Sequence, residues 1–193
     1  MGAILPPARP EVNAGGPRLL LVAATERELA PVEGVRTLAC GIGPVEAAAA
    51  TARALLELRP DAVLHVGIAG ARGLAPLELV LGSQALYCDA SGPLVPARAL
   101  PDATLLERLR ASFPEAHVRP IGTSARVGGS SGVDVEAMEG FAVLRAAELA
   151  GVPAVEARVV SNEIDEPDRA RWRLDDACTT LAELLPSLVR ALS

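Results

Sequence analysis

Val35-Arg36-Thr37-Leu38-Ala39-Cys40-Gly41-Ile42-Gly43-Pro44 is the stretch from which the architecture can be built. Val35 to Cys40 reads as a strand, the glycines as a turn, and Pro44 as the first residue of a helix, where its missing N–H costs nothing. Val45, Ala48, Ala49, Ala52, Leu55 and Leu56 form the apolar face expected of that helix, and Arg59-Pro60-Asp61 ends it. Ala62 to Val66 is a further strand, leading into Gly67-Ile68-Ala69-Gly70, whose small residues let backbone approach a ligand closely. Strand, helix and strand at this spacing make a right-handed βαβ unit. The turn has the first two glycines of a dinucleotide fingerprint, but Glu46 stands at the third position and no phosphate ligand is nearby.

Outward from this unit, Arg18 to Ala24 contains Leu-Leu-Leu-Val, a run suited to a strand buried on both faces. Glu78 to Tyr87 reads as a strand, Ser91 to Pro101 as a proline-rich loop, and Asp102 to Phe113 as a helix capped by Asp102. Val118 to Ile121 returns to the sheet, and Gly122 to Gly132 is a polar loop. Val135 opens a segment to Gly151 that reads as a helix, with Val135, Met138, Ala142 and Leu149 at helical spacing. Ala154 to Val160 is a strand ending in Ser161-Asn162, and Asp168 to Leu192 a long helix bent at Pro186. Residues 1–17, with four prolines and little charge, read as a disordered lead-in. Residues 18–193 then form a single α/β domain.

Composition narrows the function. The chain has 193 residues, 50% of them hydrophobic but only 2% aromatic, so Ala, Leu and Val must fill the core. All 18 basic residues are arginine, which excludes a lysine Schiff base and a Gly-Lys-Ser/Thr phosphate loop. Those arginines are dispersed and the net charge is −6, so no nucleic-acid partner is expected. No run reaches transmembrane length. Cys40, Cys88 and Cys178 lack metal or disulfide spacing, so no metal is expected, and a reduced, cytoplasmic setting fits best.

Three polar features fall near strand ends, where α/β sheets place ligands. Glu28 follows the first strand; it either closes a capping box with Thr25 or faces a ligand. Glu139 borders an apolar stripe, where a carboxylate is costly unless ligand hydroxyls, a helix N-terminus or an arginine meets it. Ser161-Asn162 either turns the chain or presents polar groups. His65, inside a strand, reads as a satisfied core residue.

In this order, and with Val66-Gly67-Ile68-Ala69-Gly70 between them, these features resemble the purine nucleoside phosphorylase and nucleosidase superfamily. The resemblance runs from Arg18 onward and is most specific at Met138-Glu139 and Arg158-Val159-Val160-Ser161-Asn162. Ala137-Met138-Glu139-Gly140, then Asp168-Arg169 and Trp172, make it most similar to the futalosine hydrolase branch, which serves menaquinone biosynthesis; methylthioadenosine/S-adenosylhomocysteine nucleosidase comes second. The resemblance implies a central mixed, twisted β-sheet flanked by helices. It also implies a purine nucleoside substrate, no cofactor, and a homodimer or larger homo-oligomer. Glu28 takes the position that activates water, and Glu139 the position that binds the ribose hydroxyls. Asn162 stands where adenine-specific nucleosidases carry aspartate. Its amide donors suit the N7 and O6 acceptors of hypoxanthine, so the leading expectation is hydrolysis of futalosine. Met138, Ile68, Ala69, Gly70, Ser161 and Phe141 complete the expected binding set.

The pattern departs from the family in the segment from Gly82 to Gly122, which is short, and in its few aromatics. Phe141 is the stacking candidate and Arg126 the partner for the aryl carboxylate of futalosine. A phosphorylase would need arginines such as Arg27 or Arg72 on a phosphate. A nucleoside-binding protein without turnover is the alternative of another class.

Overall fold

Leu19–Ala23 (β1) is buried along its whole length, and its alternate side chains feed two different core layers. Leu19 and Leu21 join Leu64 and Val66 against Leu105, Leu109, Leu181, Leu185 and Leu188 on one face. Leu20 and Val22 join Val63 against Ala47, Ala54, Leu55, Val143 and Leu144 on the other. A continuous apolar strand is what burial on both faces requires. The computed structural model describes residues 18–30, 32–89, 92–126 and 132–193. The expected lead-in 1–17, Ser91 of the proline-rich loop and residues 127–131 of the polar loop lie outside the described residues.

The remaining strands are Arg36–Ala39 (β2), Ala62–Ala71 (β3), Leu79–Tyr87 (β4), Arg98–Ala99 (β5), His117–Thr123 (β6), Val135–Ala137 (β7) and Ala154–Glu163 (β8). The helices are Pro44–Leu58 (α1), Ala103–Ser112 (α2), Gly140–Ala150 (α3) and Leu174–Leu192 (α4). β1 lies between β2 and β3, parallel to both, with α1 as the crossover expected of a βαβ unit. β3 then pairs with both β7 and β8, and β4 with both β6 and β8, while β6 pairs with β7. These pairings close a ring of five strands, β3-β7-β6-β4-β8, and β2, β1 and β5 extend the mixed sheet around it.

Four local expectations need correction. Val135–Ala137 is a strand, and the helix begins at Gly140 with Glu139 at its N-cap. Gly70–Ala71 on one side and Gly122–Thr123 on the other offer it ladder partners, and that pairing overrides helical spacing. Leu149 is accordingly exposed. In α1 the buried side is Pro44, Ala47, Thr51, Ala54 and Leu55, whereas Val45 and Leu56 are each 76% exposed. Alanines let α1 lie against Ala142, Val143 and Ala147 of α3, so the smaller face went inward. The expected loop from Ser91 to Pro101 contains β5, which pairs with Ala85–Leu86. The C-terminal helix starts at Leu174, after a 3₁₀ turn at Arg169–Arg171 capped by Asp168, and Pro186 lies inside it. Asp102 does cap α2, accepting from Leu105 N at 3.0 Å.

Candidate active site

The C-terminal ends of β1, β3 and β8, with the turn from β7 into α3, enclose a cavity of about 360 Å³. Glu28, Ile68, Ala69, Gly70, Met138, Glu139, Ser161 and Asn162 all line it, as do Glu136 and Trp172. Of the binding set read from sequence, Phe141 is the one that does not. Its ring stacks on Tyr87 of β4 at 5.0 Å, in the core layer that α1 and α3 form with the sheet.

Glu28 makes the capping contacts and also lines the cavity. Its Oε2 accepts from Thr25 N (3.0 Å) and Thr25 Oγ1 (2.9 Å), the capping arrangement expected at a helix start. Its Oε1 accepts from Ile68 N at 3.2 Å, which ties the carboxylate to the β3 backbone at the cavity wall. Gly67 makes this approach possible: a Cβ there would lie 2.8 Å from Glu28 Oε1 and would collide with the Arg158 guanidinium. A Gly67→Ala variant is therefore expected to cost about 1–3 kcal/mol through overpacking, and to lose activity because Glu28 is displaced. Thermal unfolding and turnover of the same preparation check this; parent-like values in both would contradict it.

Glu139 is 4% exposed and is met by two of the groups that its cost demanded. Oε1 accepts from Gly43 N (3.0 Å), the N-cap of α1, where the helix dipole favours negative charge. Oε2 lies 3.8 Å from Arg158 Nη2. Burial still raises its pKa, against the pull of Arg158 and the Gly43 hydrogen bond. A carboxylate has about four lone-pair positions, so sites remain for ligand hydroxyls.

Beneath these two carboxylates lies an array that the spacing argument missed. Arg158, 1% exposed, donates from Nε to Glu156 Oε1 at 2.8 Å, and its Nη2 contacts His65 Nε2. His65 Nδ1 lies 3.1 Å from Val22 O. A carbonyl only accepts, so Nδ1 carries the proton and Nε2 accepts from Arg158. Burial and the neighbouring guanidinium hold His65 well below its ordinary pKa, hence neutral, as befits the core residue read from sequence. Burial disfavours charge on Arg158, but Glu156, Glu139 and Glu28 together more than offset it and keep the guanidinium protonated. Burial likewise raises Glu156, with Arg158 opposing. The available signal was Glu156-x-Arg158, two charges on one face of the otherwise apolar run 154–160 that opens β8.

Ser161 Oγ donates toward Asn162 Oδ1 (2.7 Å) and Ala69 O (3.1 Å), two acceptors that share its one hydrogen. Asn162 Nδ2 donates to Glu163 O at 2.9 Å. The amide oxygen is thus engaged, while Nδ2 keeps a second hydrogen. Trp172 is fixed by Nε1 donating to Glu166 O (3.1 Å), with the Arg169 guanidinium 5.5 Å from the ring centre. Arg126 lines a second hollow, which shares Ile42 and Met138 with the first. Arg72 is committed to Asp165 (2.7 Å) and Val133 O, and Arg27 pairs with Asp175.

Comparison with known proteins gives the lineage. A family model described as "Phosphorylase superfamily" matches residues 29–192. Futalosine hydrolase of Streptomyces coelicolor is 34% identical over an alignment covering 83% of this chain and 80% of that protein. Among solved structures, native futalosine hydrolase of Helicobacter pylori superposes with a TM-score of 0.81 at 18% identity, over 90% of this chain and 97% of that one. S-adenosylhomocysteine nucleosidase of Streptococcus pyogenes, in complex with 5-methylthiotubericidin, superposes at 0.82 and 19% identity, over 94% and 100%. With a family model covering most of its length and a third of its aligned residues shared with a curated member, this chain belongs to the phosphorylase superfamily.

Proposed function

We propose that this chain is a nucleosidase that hydrolyses the N-ribosidic bond of futalosine, releasing hypoxanthine and dehypoxanthine futalosine. The observation that carries the reading is the meeting of Glu28, Glu139 and Asn162 in one cavity, in a chain 34% identical to a futalosine hydrolase. Glu28, held by Thr25 and Ile68, orients a water for attack at the anomeric carbon and takes its proton. The C1′–N9 bond breaks through an oxocarbenium-like sugar. Glu139 accepts hydrogen bonds from the 2′- and 3′-hydroxyls and favours positive charge on the ring, a charged acceptor being roughly twice as strong as a neutral one. The departing base takes its proton from solvent, because Asn162 donates a hydrogen bond but has no acidic proton to give. Met138, Ile68, Ala69, Gly70, Ser161 and Trp172 shape the walls.

Hydrolysis is favoured over phosphorolysis by charge. Arg27 and Arg72 are each paired with an aspartate, and Arg158 is enclosed by carboxylates. A phosphate dianion would face Glu28 and Glu139, and the arginine lining the cavity among the described residues, Arg27, is the one paired with Asp175. We read the chain as a homo-oligomer, because Ile42 at the cavity and Val45 and Leu56 along α1 leave large apolar side chains exposed. The test is release of free base from futalosine, inosine and methylthioadenosine, with and without phosphate. Hypoxanthine from futalosine, independent of phosphate, is expected. Adenine from methylthioadenosine would overturn the argument from Asn162, and a requirement for phosphate would overturn hydrolysis.

A further inference from the structure

Arg158 reaches its carboxylates by lying across β3. Between β3 and β8, His65 pairs with Glu156 and Gly67 with Arg158. Paired residues on neighbouring strands share a face, as do residues two apart on one strand, so all four stand on the same side. Gly67 leaves a gap there that the guanidinium fills. A Cβ on Gly67 would collide with Arg158 Nη1 and lie 2.8 Å from Glu28 Oε1. His65 and Glu156 thus hold the guanidinium from the side away from the cavity, while Glu139 and Glu28 lie ahead of it.

Two other arginines close the whole fork on a carboxylate. Arg72 donates to Asp165 from Nε (2.7 Å) and Nη2 (3.0 Å), and Arg18 to Asp61 from the same two nitrogens at 3.3 and 3.2 Å. Such paired parallel bonds are what an arginine and a carboxylate favour. Arg158 makes only half of one. Nε donates to Glu156 Oε1 at 2.8 Å, but Nη2 turns to His65 Nε2. Glu156 Oε2, fully buried, is left with no hydrogen-bond partner among the described residues. His65 can take the Nη2 hydrogen because Nδ1–H is committed to Val22 O, beside which the pairing of β1 with β3 places it. A neutral imidazole accepts without adding negative charge. The guanidinium therefore keeps its charge for Glu139, 3.8 Å from Nη2, and for Glu28.

The geometry points to His65 as a positioning residue: by holding Arg158 Nη2 it stops the fork from closing on Glu156 and keeps the guanidinium aimed at Glu139 and Glu28. This rests on the reading of those two carboxylates as the reacting pair of a nucleosidase, and adds to it the group that sets their counter-charge.

The test compares the parent with His65→Asn, His65→Leu and His65→Gln. Asparagine can still donate to Val22 O but has no acceptor where Nε2 stands. Leucine has neither group and serves where the asparagine variant does not fold. Glutamine keeps an acceptor at the Nε2 position. One readout is the titration of Glu139 by carboxyl ¹³C NMR, its signal identified by its loss in Glu139→Gln. The other is release of hypoxanthine from futalosine across pH. Glu139 faces Arg158 and Glu156 of β8, Glu28 after β1, and Gly43 N–H at the start of α1. It also faces the Cys40 thiol after β2, kept neutral by burial that pushes its pKa up to about 12. Of these groups Arg158 is the cation, and it pulls Glu139 down. With Asn or Leu the fork closes on Glu156, so Glu139 should titrate at higher pH than in the parent. The acid limb of kcat/KM should move up with it, and kcat should fall about 10- to 100-fold, as for other misplaced groups. With Gln both should return to the parent. A histidine that only filled the core would change the melting temperature and leave the titration where it was. An unchanged Glu139 titration in the Asn and Leu variants overturns the assignment, and so does a shift in the Gln variant as large as theirs. If the parent releases no hypoxanthine but the titration shifts as stated, the nucleosidase reading falls and the role of His65 stands.

Discussion

Glu28→Gln is expected to fold as the parent does and to lose about 10²–10⁴-fold in kcat, the range a positioned general base contributes. Glutamine has the shape of glutamate, and its carbonyl can still accept from Ile68 N. Its amide nitrogen, however, would face the Thr25 N–H that the carboxylate now satisfies. Losing that part of the capping arrangement costs about 1 kcal/mol. The two roles of Glu28 therefore separate by measurement. If Glu28 were only a cap, unfolding would show that small loss and base release would continue at the parental rate. If it also takes the proton of water, turnover collapses while the melting temperature moves by a few degrees. A variant with parental turnover would remove Glu28 from the mechanism.

Capping contacts and cavity wall coincide at Glu28, and the other residues of the proposed site combine structure and position in the same way. Glu28, Glu139 and Asn162 each had an adequate structural explanation, and the structure provides one for each: a cap for Glu28, the α1 N-terminus for Glu139, and Ser161 and Glu163 for Asn162. Their order along the chain carried the argument, because strand ends gather residues distant in sequence. The βαβ unit was legible for a related reason: Pro44, the glycine turn and the apolar runs are local signals. Closure of the five-stranded ring was not, since the pairing of β7 with Gly70 and with Gly122 depends on partners about 65 and 15 residues away. The same blind spot hid Glu136. Read on a helix, it is a neighbour of Glu139; on a strand, it stands across Gly70 from Asn162. Phe141 shows the opposite error, for adjacency to Glu139 in sequence says little about direction once a helix starts between them.

The largest effect on stability is expected at Arg158. Its guanidinium is the shared counter-charge for Glu156, at 2.8 Å, and Glu139, at 3.8 Å, and none of the three has more than a trace of solvent. Replacing one partner of a buried ion pair leaves the other charge unmatched, which costs about 3–5 kcal/mol. Arg158→Met keeps much of the side-chain volume and removes the charge, so a loss of that size would be electrostatic. The pH dependence identifies it. Burial already raises Glu139 and Glu156, and Arg158 is what pulls both back down; without it both rise further. A carboxyl whose folded pKa exceeds its unfolded value binds its proton more tightly when folded. Its contribution is full below the unfolded pKa and is lost as pH rises through the folded one. Arg158→Met should thus lie closest to the parent in acid and fall away as pH climbs from the ordinary carboxylate range toward neutrality. Adding Glu156→Gln removes one of the unmatched carboxylates and should restore part of the loss at neutral pH. Unfolding curves of the three proteins across that range decide the matter. A gap independent of pH would assign the loss to packing, and a double variant no better than the single one would mean that Glu156 and Arg158 are not coupled.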